Sequence, residues 1–390
     1  MPPMKKKLPL FLLSLALLPL SSCSSGSENI EKVALDCGTI RFNGDEINAR
    51  KQSQMEQIDL GELNDMLSRK SNFVLLLGNS FDCSCWVSFH NDVLAPYLLE
   101  EHIYLPWISY EDGSKKLAEL GADISKDHET LMIFKEGEIA YQHTTSDASS
   151  SWVSDKKTFR SWMNERIESP RLLTLSKEQL DDKYAGSADF SILFSRSTCS
   201  DCRFLLDNDI KSYFASNIKK TTVADNYLYL LDCDVPGIRL FQGEDGKAHS
   251  PDEEVNDCQK QAAAQWKAFK EEYGLAYSDS NEAGWDEGYV PTIFHIHPDG
   301  SSKAGDVIDF SGVFYNETIE NGVVAESYFS KARQEGGSSS LDYLYSSNLE
   351  FKCLEGISLS LNEGAARKEI NTALEPYEKP ILNLLLDSIL

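Results

Sequence analysis

Two cysteines spaced C-x-x-C, Cys199 and Cys202, are the residues of this chain with the clearest capacity for chemistry. They come after a predicted strand at 190–194 and before apolar residues at helical spacing, so the pair is expected at the start of a helix. A sulfur in that position meets unsatisfied backbone N–H groups and the positive end of the helix dipole, which stabilise the thiolate. The spacing then allows the second thiol to resolve a mixed disulfide formed by the first.

The same spacing also suits a metal site or a structural disulfide. Zinc would require two further ligands, and His295 and His297 alternate along a predicted strand instead of forming a site, so we expect no metal. A purely structural Cys199–Cys202 disulfide stays open as an alternative, because Asp201 between the two cysteines would oppose ionisation of a thiol.

A second and tighter pair, Cys83 and Cys85, follows the apolar run 73–77. Matching 73–77 to 190–194 aligns Cys85 with Cys202 and puts Asp82 where Cys199 would fall. We therefore predict that this first unit has kept the fold and has lost or altered the chemistry. The competing hypothesis is that a strained C-x-C disulfide is oxidising and serves disulfide isomerisation.

The elements around both pairs occur twice in the same order: a helix or strand, an apolar strand, the cysteine pair, a helix, a strand and a hairpin. Alternating strands and helices predict an α/β fold of two tandem units, each a mixed sheet with helices on both faces. In the second unit, Val290 and Pro291 immediately precede the first strand of the hairpin.

This arrangement resembles the thioredoxin superfamily over roughly residues 55–330, so both units are expected to be thioredoxin-like. In that family the proline is cis and lies beside the cysteine pair, which would place Pro291 against Cys199 to shape a groove for substrate peptides. The valine before it is similar to the DsbA branch. The resemblance implies a thiol–disulfide oxidoreductase that acts on protein thiols and disulfides, with a redox partner protein and no dissociable cofactor.

The sequence also departs from the family pattern. Leu193 stands where the family has a buried acid, and the Ser200-Asp201 dipeptide matches no particular subfamily. In the first unit Glu129 occupies the position that corresponds to Pro291. These differences put an efficient proton relay in doubt for the second unit and a substrate groove in doubt for the first.

The N-terminal residues predict export. Three lysines at 5–7 precede an apolar stretch at 8–20 that is too short to span a bilayer, and Leu20-Ser21-Ser22-Cys23 resembles the lipobox of bacterial lipoproteins. The resemblance implies that Cys23 becomes lipidated and anchors the protein on the extracytoplasmic face of the cell membrane. The alternative is an ordinary secretory signal with an incidental cysteine.

We divide the chain into a signal peptide (1–22), a tether and lead-in (23–54), a first unit (55–168), a second unit (169–335) with an insertion at 234–289, and a C-terminal extension (336–390). A helix in the insertion is predicted to begin at a capping box formed by Ser250, Pro251 and Glu253, and residues 370–390 are predicted to be helical. The net charge is −25, and this composition does not supply the basic face that phosphate binding needs, so we expect no nucleic acid partner.

The remaining cysteines suggest structural disulfides: Cys233 with Cys258 across the insertion, and Cys37 with Cys353 between the two ends of the chain. If all the cysteines are structural, the protein would be a binding or scaffolding lipoprotein that uses its thioredoxin-like units as display surfaces. The sequence has no G-x-S-x-G, P-loop or H-E-x-x-H pattern, which disfavours a hydrolase or a phosphate-binding enzyme.

Overall fold

The computed structural model describes residues 30–36, 38–39, 55–78, 84–144, 155–216, 227–252, 254–276, 287–300, 302–310, 314–315, 318–320, 323–326 and 365–390. The predicted signal peptide and Cys23, Cys37, Cys83 and Cys353 lie outside these residues. Two short strands come before the first unit: β1 (Val33–Ala34) and β2 (Gly38–Thr39).

The first unit is a five-stranded sheet in the order β3-β5-β4-β6-β7. β3, β5 and β4 are parallel to one another. β6 pairs antiparallel with β4, and β7 pairs antiparallel with β6. Its elements are β3 (Met55–Gln57), α1 (Leu60–Ser68), β4 (Phe73–Gly78), α2 (Ser84–Phe89), a π-helical segment (His90–Leu94), α3 (Ala95–Glu100), β5 (Leu105–Ser109), α4 (Tyr110–Glu119), β6 (Thr130–Lys135), β7 (Glu138–Thr144) and α5 (Lys156–Arg166).

The second unit repeats this arrangement in a sheet of order β15-β14-β10-β11-β9-β2. Its elements, with the strand β8 that precedes it, are β8 (Ile167–Glu168), β9 (Leu172–Thr174), α6 (Lys177–Tyr184), β10 (Phe190–Ser195), α7 (Ser200–Phe204), a π-helical segment (Leu205–Ile210), α8 (Lys211–Ser216), β11 (Leu228–Asp232), β12 (Phe241–Gln242), β13 (Ala248–His249), α9 (Asp257–Glu272), β14 (Thr292–Ile296), β15 (Val307–Phe310), β16 (Thr318–Glu320), β17 (Val323–Glu326) and α10 (Ala365–Ile389). The predicted fold class, two tandem thioredoxin-like units with mixed sheets, is confirmed.

The central strand of each sheet is buried on both faces, as an unbroken apolar run predicts. Along β4, Phe73 and Leu75 pack in one apolar cluster, whereas Val74 and Leu76 pack in another on the opposite face. Along β10, Phe194 and Leu193 divide in the same way between two clusters. Each unit therefore has helices covering both faces of its sheet.

The lead-in takes part in both units, which the sequence did not indicate. β1 pairs in parallel with β8, and β2 adds a sixth strand to the second sheet by pairing in parallel with β9. The predicted tether of 23–54 therefore contains two short strands whose hydrogen-bond partners lie more than a hundred residues away in the chain.

The insertion helix α9 begins later than predicted. Its N-cap is Asn256, whose side chain accepts a hydrogen bond from the N–H of Gln259 (2.9 Å), and the Gln259 side chain accepts the Asn256 N–H in return. The predicted box at Ser250 is wrong because Ser250 instead donates to the Asp252 carboxylate (2.7 Å), in a turn that precedes the helix. Both stretches carry a capping pattern, and the spacing alone does not choose between them.

The predicted C-terminal helix is present and belongs to the core of the second unit. Leu374, Leu382, Leu385 and Leu386 of α10 are buried in the same apolar cluster as Leu193 of the central strand. Burial of large apolar side chains of this kind contributes about 1.5–3 kcal/mol each. The helix α10 therefore packs on one face of the second sheet, although it is far from the strands of that sheet in sequence.

Candidate functional site

Cys199 lies at the N-cap of α7, where the sequence predicted it. Its Sγ accepts a hydrogen bond from the N–H of Cys202 (3.4 Å), and the Arg203 N–H donates to the Cys199 carbonyl (3.1 Å). Cys199 is half-buried and Cys202 is fully buried, and both are free thiols. Of the two cysteines, Cys199 is therefore the one that keeps exposed surface.

The two thiols have opposite acidities. The hydrogen bond from the Cys202 thiol is the largest influence on Cys199 and, with that from the Cys202 N–H, it lowers the Cys199 pKa to about 7, although burial and the Asp201 charge oppose this. Burial is the main reason that the pKa of Cys202 is raised. At neutral pH a substantial fraction of Cys199 is thus thiolate, and the buried Cys202 keeps its proton.

A buried carboxylate, Asp234, holds the loop in front of Cys199. Asp234 follows β11, which is parallel to β10, and its Oδ2 accepts hydrogen bonds from the N–H (2.9 Å) and Oγ1 (2.5 Å) of Thr198. Its Oδ1 accepts from Arg196 Nε (3.2 Å). The residue just before the reactive cysteine is therefore fixed by two hydrogen bonds to the Asp234 side chain, and Arg196, two residues earlier, is held by a third.

The Asp234 charge is balanced by Arg239, whose Nη1 donates to Oδ1 at 2.8 Å. Both side chains are nearly inaccessible, at 1% and 3% exposed, and Arg239 also binds the exposed Asp252. Burial works against ionisation of Asp234, but the hydrogen bonds from Thr198, the charge of Arg196 and the hydrogen bond from Arg239 lower its pKa. Sequence reasoning missed Asp234, although its position at the end of a strand beside β10 is a usable signal.

The Val290–Pro291 peptide bond is cis. β14 is antiparallel to β10 with Thr292 opposite Phe194, so Pro291 lies at the end of the sheet where β10 leads into the cysteine loop. Val290 is in the same apolar cluster as Cys199 and Cys202. The structure thus brings the three predicted residues of the site to one end of the second sheet.

In the first unit, β6 pairs with β4 in the same register as β14 pairs with β10, but no proline immediately precedes β6. Thr130 of β6 lies opposite Leu77 of β4, just as Thr292 lies opposite Phe194, so Glu129 occupies the position of Pro291. The backbone of Cys85 is in the first turn of α2, and Cys83 lies outside the described residues. The redox state and contacts of this pair stay a prediction.

Cys233 and Cys258 do not form the disulfide suggested by the sequence. Cys233 is completely buried, and its N–H donates to the Ser195 carbonyl (2.8 Å) in the core of the second unit. Cys258 lies beside the β12–β13 turn, where a Cβ on Gly243 would approach its Sγ to 2.8 Å. Both are free thiols. Cys233 is part of the core, whereas Cys258 packs against the insertion hairpin, so the two sulfurs lie in different parts of the second unit. Cys37 and Cys353 lie outside the described residues.

Leu193, the residue in place of the family's buried acid, is completely buried in the cluster beneath α10. That cluster also borders a carboxylate that sequence reasoning missed, Asp209 in the π-helical segment of the cysteine helix. Burial is the main cause that raises the Asp209 pKa to about 6. Asp209 accepts a hydrogen bond from Tyr315 Oη, and Lys379 Nζ lies 3.6 Å from its other oxygen.

Within the described part of the chain, no group of three or more His, Cys, Asp or Glu side chains is placed to hold a metal ion. His295 and His297 have different partners: His295 Nδ1 is 3.0 Å from Ser191 Oγ, and His297 Nδ1 is 2.6 Å from Asp189. Across the helices described here, none is both long and apolar enough to cross a membrane.

No protein-family model matches the sequence, and no curated protein matches it. Among solved structures, the chain is similar to the zinc-bound form of human ERp44, with 16% identity over 49% of this chain and a TM-score of 0.23. A thioredoxin from Trypanosoma brucei brucei matches 30% of the chain at 10% identity, with a TM-score of 0.22 and 97% of its own length covered. Full-length ERdj5 matches 64% of the chain at 10% identity, with a TM-score of 0.22 and 29% of its own length covered.

The chain spans 46% of the length of ERp44. These scores are too low to bear on function, and the fold assignment rests on the strand orders of the two sheets.

Proposed function

We propose that this protein is a thiol–disulfide oxidoreductase that acts on protein disulfides through Cys199 and Cys202. The observation that carries the proposal is the pairing of a half-buried Cys199 sulfur, which accepts the Cys202 N–H at a helix start, with a buried Cys202 thiol behind it. This is the arrangement that nucleophilic attack followed by resolution requires.

In the reducing direction, the Cys199 thiolate attacks one sulfur of a substrate disulfide. A mixed disulfide forms, and the other substrate sulfur leaves as a thiolate that takes up a proton. Cys202 then loses its proton and attacks Cys199 Sγ, which releases the second substrate thiol and leaves a Cys199–Cys202 disulfide. Two electrons pass from the pair to the substrate, and the reverse sequence oxidises a substrate dithiol. The two sulfurs carry the electrons, so no dissociable cofactor is required, and a redox partner protein would reset the pair.

We expect Cys199 to react with iodoacetamide at a rate that reaches half its maximum near pH 7, because its pKa is lowered to about 7. An ordinary cysteine would do so near pH ~8.5. The Cys202→Ala variant, which has no side-chain donor, should move the midpoint upward, since the thiol hydrogen bond is the largest cause of the shift. The measurement is the rate of modification of each cysteine by peptide mass mapping between pH 5 and 9.

Cys258, a half-buried free thiol in the same chain, serves as the internal comparison. If Cys199 reacts only after the protein unfolds, or with the midpoint of an ordinary thiol, the proposal is wrong. In that case the cysteines are structural, and a binding or scaffolding lipoprotein becomes the better description.

The proposed setting is the extracytoplasmic face of the cell membrane, with the chain anchored through a lipid on Cys23. The support is the basic, apolar and small-residue pattern that ends at Cys23. In a bacterial host we expect the chain to incorporate labelled palmitate and to fractionate with membranes, and Cys23→Ser to lose both properties. Cys37→Ser, the next cysteine along the chain, is the matched control. Label retained by the Cys23→Ser chain would refute the anchor.

A further inference from the structure

A cleft of about 1090 Å³ lies where three parts of the chain meet: the turn after α1, the start of α7 and the N-terminal half of α10. The residues on either side of Cys199, Thr198 and Ser200, are among those that line it. The space is as large as the upper range of small-molecule sites, about 300–1,000 Å³, and so can hold several residues of a polypeptide.

The cleft has the opposite charge balance to the rest of the protein. The chain has 62 acidic and 37 basic residues, whereas the cleft is lined by six basic and four acidic side chains. Three of the six are already neutralised by ion pairs: Arg69 with Asp207, Lys379 with Glu375, and Lys211 with Asp36.

Lys70, Arg203 and Lys368 are exposed, and none of these side chains forms an ion pair with any residue that the structure describes. They come from three different elements: the turn after α1, the cysteine helix α7, and α10. Of the four acidic side chains in the cleft, Glu136 alone has no ion pair of this kind. An excess of uncommitted positive charge thus surrounds the approach to Cys199 in a strongly acidic protein.

The C-terminal helix is fixed at the base of this cleft. Asn371 of α10 is buried and donates from Nδ2 to Asp201 Oδ1 (2.8 Å), the acidic residue between the two cysteines. Among the residues that the structure describes, none donates a hydrogen bond to the Asn371 side-chain oxygen. The contact holds Lys368, one turn earlier on the same helix, close to the start of the cysteine helix.

We propose that this cleft binds an acidic polypeptide segment next to the substrate disulfide. The inference rests on the function proposed above, and it adds the substrate class: disulfide-bearing proteins whose cystine is flanked by Asp or Glu. Lys70, Arg203 and Lys368 bind the carboxylates, and the bound segment leads the disulfide to Cys199. Because the three cations are exposed, each contributes modestly, and salt weakens the interaction.

The first measurement separates binding from chemistry. The full chain with Cys199→Ser is titrated into a fluorescent, disulfide-free peptide rich in glutamate, and binding is followed by anisotropy. Replacing Lys70, Arg203 and Lys368 with glutamate should raise the Kd by about 10-fold at low salt, and the difference should shrink in ~0.5 M salt. The matched control reverses Lys115, Lys157 and Lys247, which are exposed and outside the cleft.

The second measurement uses turnover of two cystine peptides of equal length, one flanked by glutamate and one by lysine. The cleft variant should lower the ratio of kcat/KM for the acidic over the basic peptide by about 10-fold, and the control should not. The cleft proposal is overturned if both triple variants weaken peptide binding equally, or if glutathione disulfide binds and the peptide does not. Absence of turnover with retained peptide binding would instead reject the oxidoreductase and leave a binding cleft.

Discussion

Replacing Cys199 with serine is expected to abolish turnover of a protein disulfide, with a loss of about 100-fold or more to the uncatalysed background. A serine hydroxyl is not ionised at neutral pH, and the hydrogen bonds that lower the Cys199 pKa to about 7 have no comparable effect on an alcohol. The measurement is reduction of insulin or of a cystine peptide by the full chain with an excess of a small-molecule reductant.

Cys202→Ser should fail at a different step. Cys199 can still attack, but the mixed disulfide has no resolving thiol, since Cys202 is the free thiol that contacts Cys199 in the described structure. We therefore expect this variant to accumulate a covalent adduct with the substrate, detectable by mass and released by reductant. A mixed disulfide that forms equally with Cys199→Ser would show that another cysteine attacks.

The controls distinguish the two units. Cys258→Ser removes a free thiol from the insertion and should leave turnover unchanged. If Cys199→Ser retains the full rate and a Cys83→Ser, Cys85→Ser variant loses it, the C-x-C pair of the first unit carries the chemistry and the assignment is reversed. If every variant retains the rate, the turnover does not arise from these cysteines.

Much of the fold could be predicted because its signals are local. The segments 73–77 and 190–194 have the length and the burial of central strands, and matching them aligned Cys85 with Cys202. Matching the first strands of the two hairpins put Glu129 in place of Pro291, and the register of the two sheets agrees with this. The position of Cys199 at a helix start followed from the same order of elements.

The rest depended on partners that are distant in the sequence. Nothing in the spacing of 38–39 indicates that it pairs with β9, and the apolar residues of α10 do not reveal which sheet they cover. Asp234 was missed because its role becomes visible only when β11 is placed beside β10, which brings its carboxylate to Thr198. The start of the insertion helix was placed too early because two adjacent stretches both carry capping residues.

Asp234→Asn is expected to reduce the free energy of unfolding by about 3 kcal/mol at pH 7, since removing one partner of a buried ion pair typically costs ~3–5 kcal/mol. The Asp234 and Arg239 side chains are 1% and 3% exposed, and the exposed Asp252 would be the remaining partner of Arg239. Asparagine also presents an N–H₂ group to the donors on Thr198 and Arg239, so some of the hydrogen bonds to the loop are lost.

The stabilising contribution of Asp234 is expected to depend on pH. Because the folded-state pKa of Asp234 is lowered, its stabilising contribution is fully present above the unfolded pKa of ~3.9 and is lost as the pH falls through the folded value. The difference in unfolding free energy between wild type and Asp234→Asn should therefore be largest at neutral pH and decrease below about pH 4. Urea unfolding at pH 7 and pH 3 measures it, with the exposed Asp182→Asn as the control.

A second readout tests whether Asp234 positions the reactive cysteine or only supports the fold. Thr198 is adjacent to Cys199, so a loosened Thr198 should weaken the hydrogen bond from the Cys202 N–H and move the midpoint of Cys199 alkylation above pH 7 in the folded variant. A loss of stability with an unchanged alkylation profile would make Asp234 purely structural. An unchanged stability would contradict the role of the buried pair, because the buried Arg239 would then lose nothing when the exposed Asp252 is its one remaining partner.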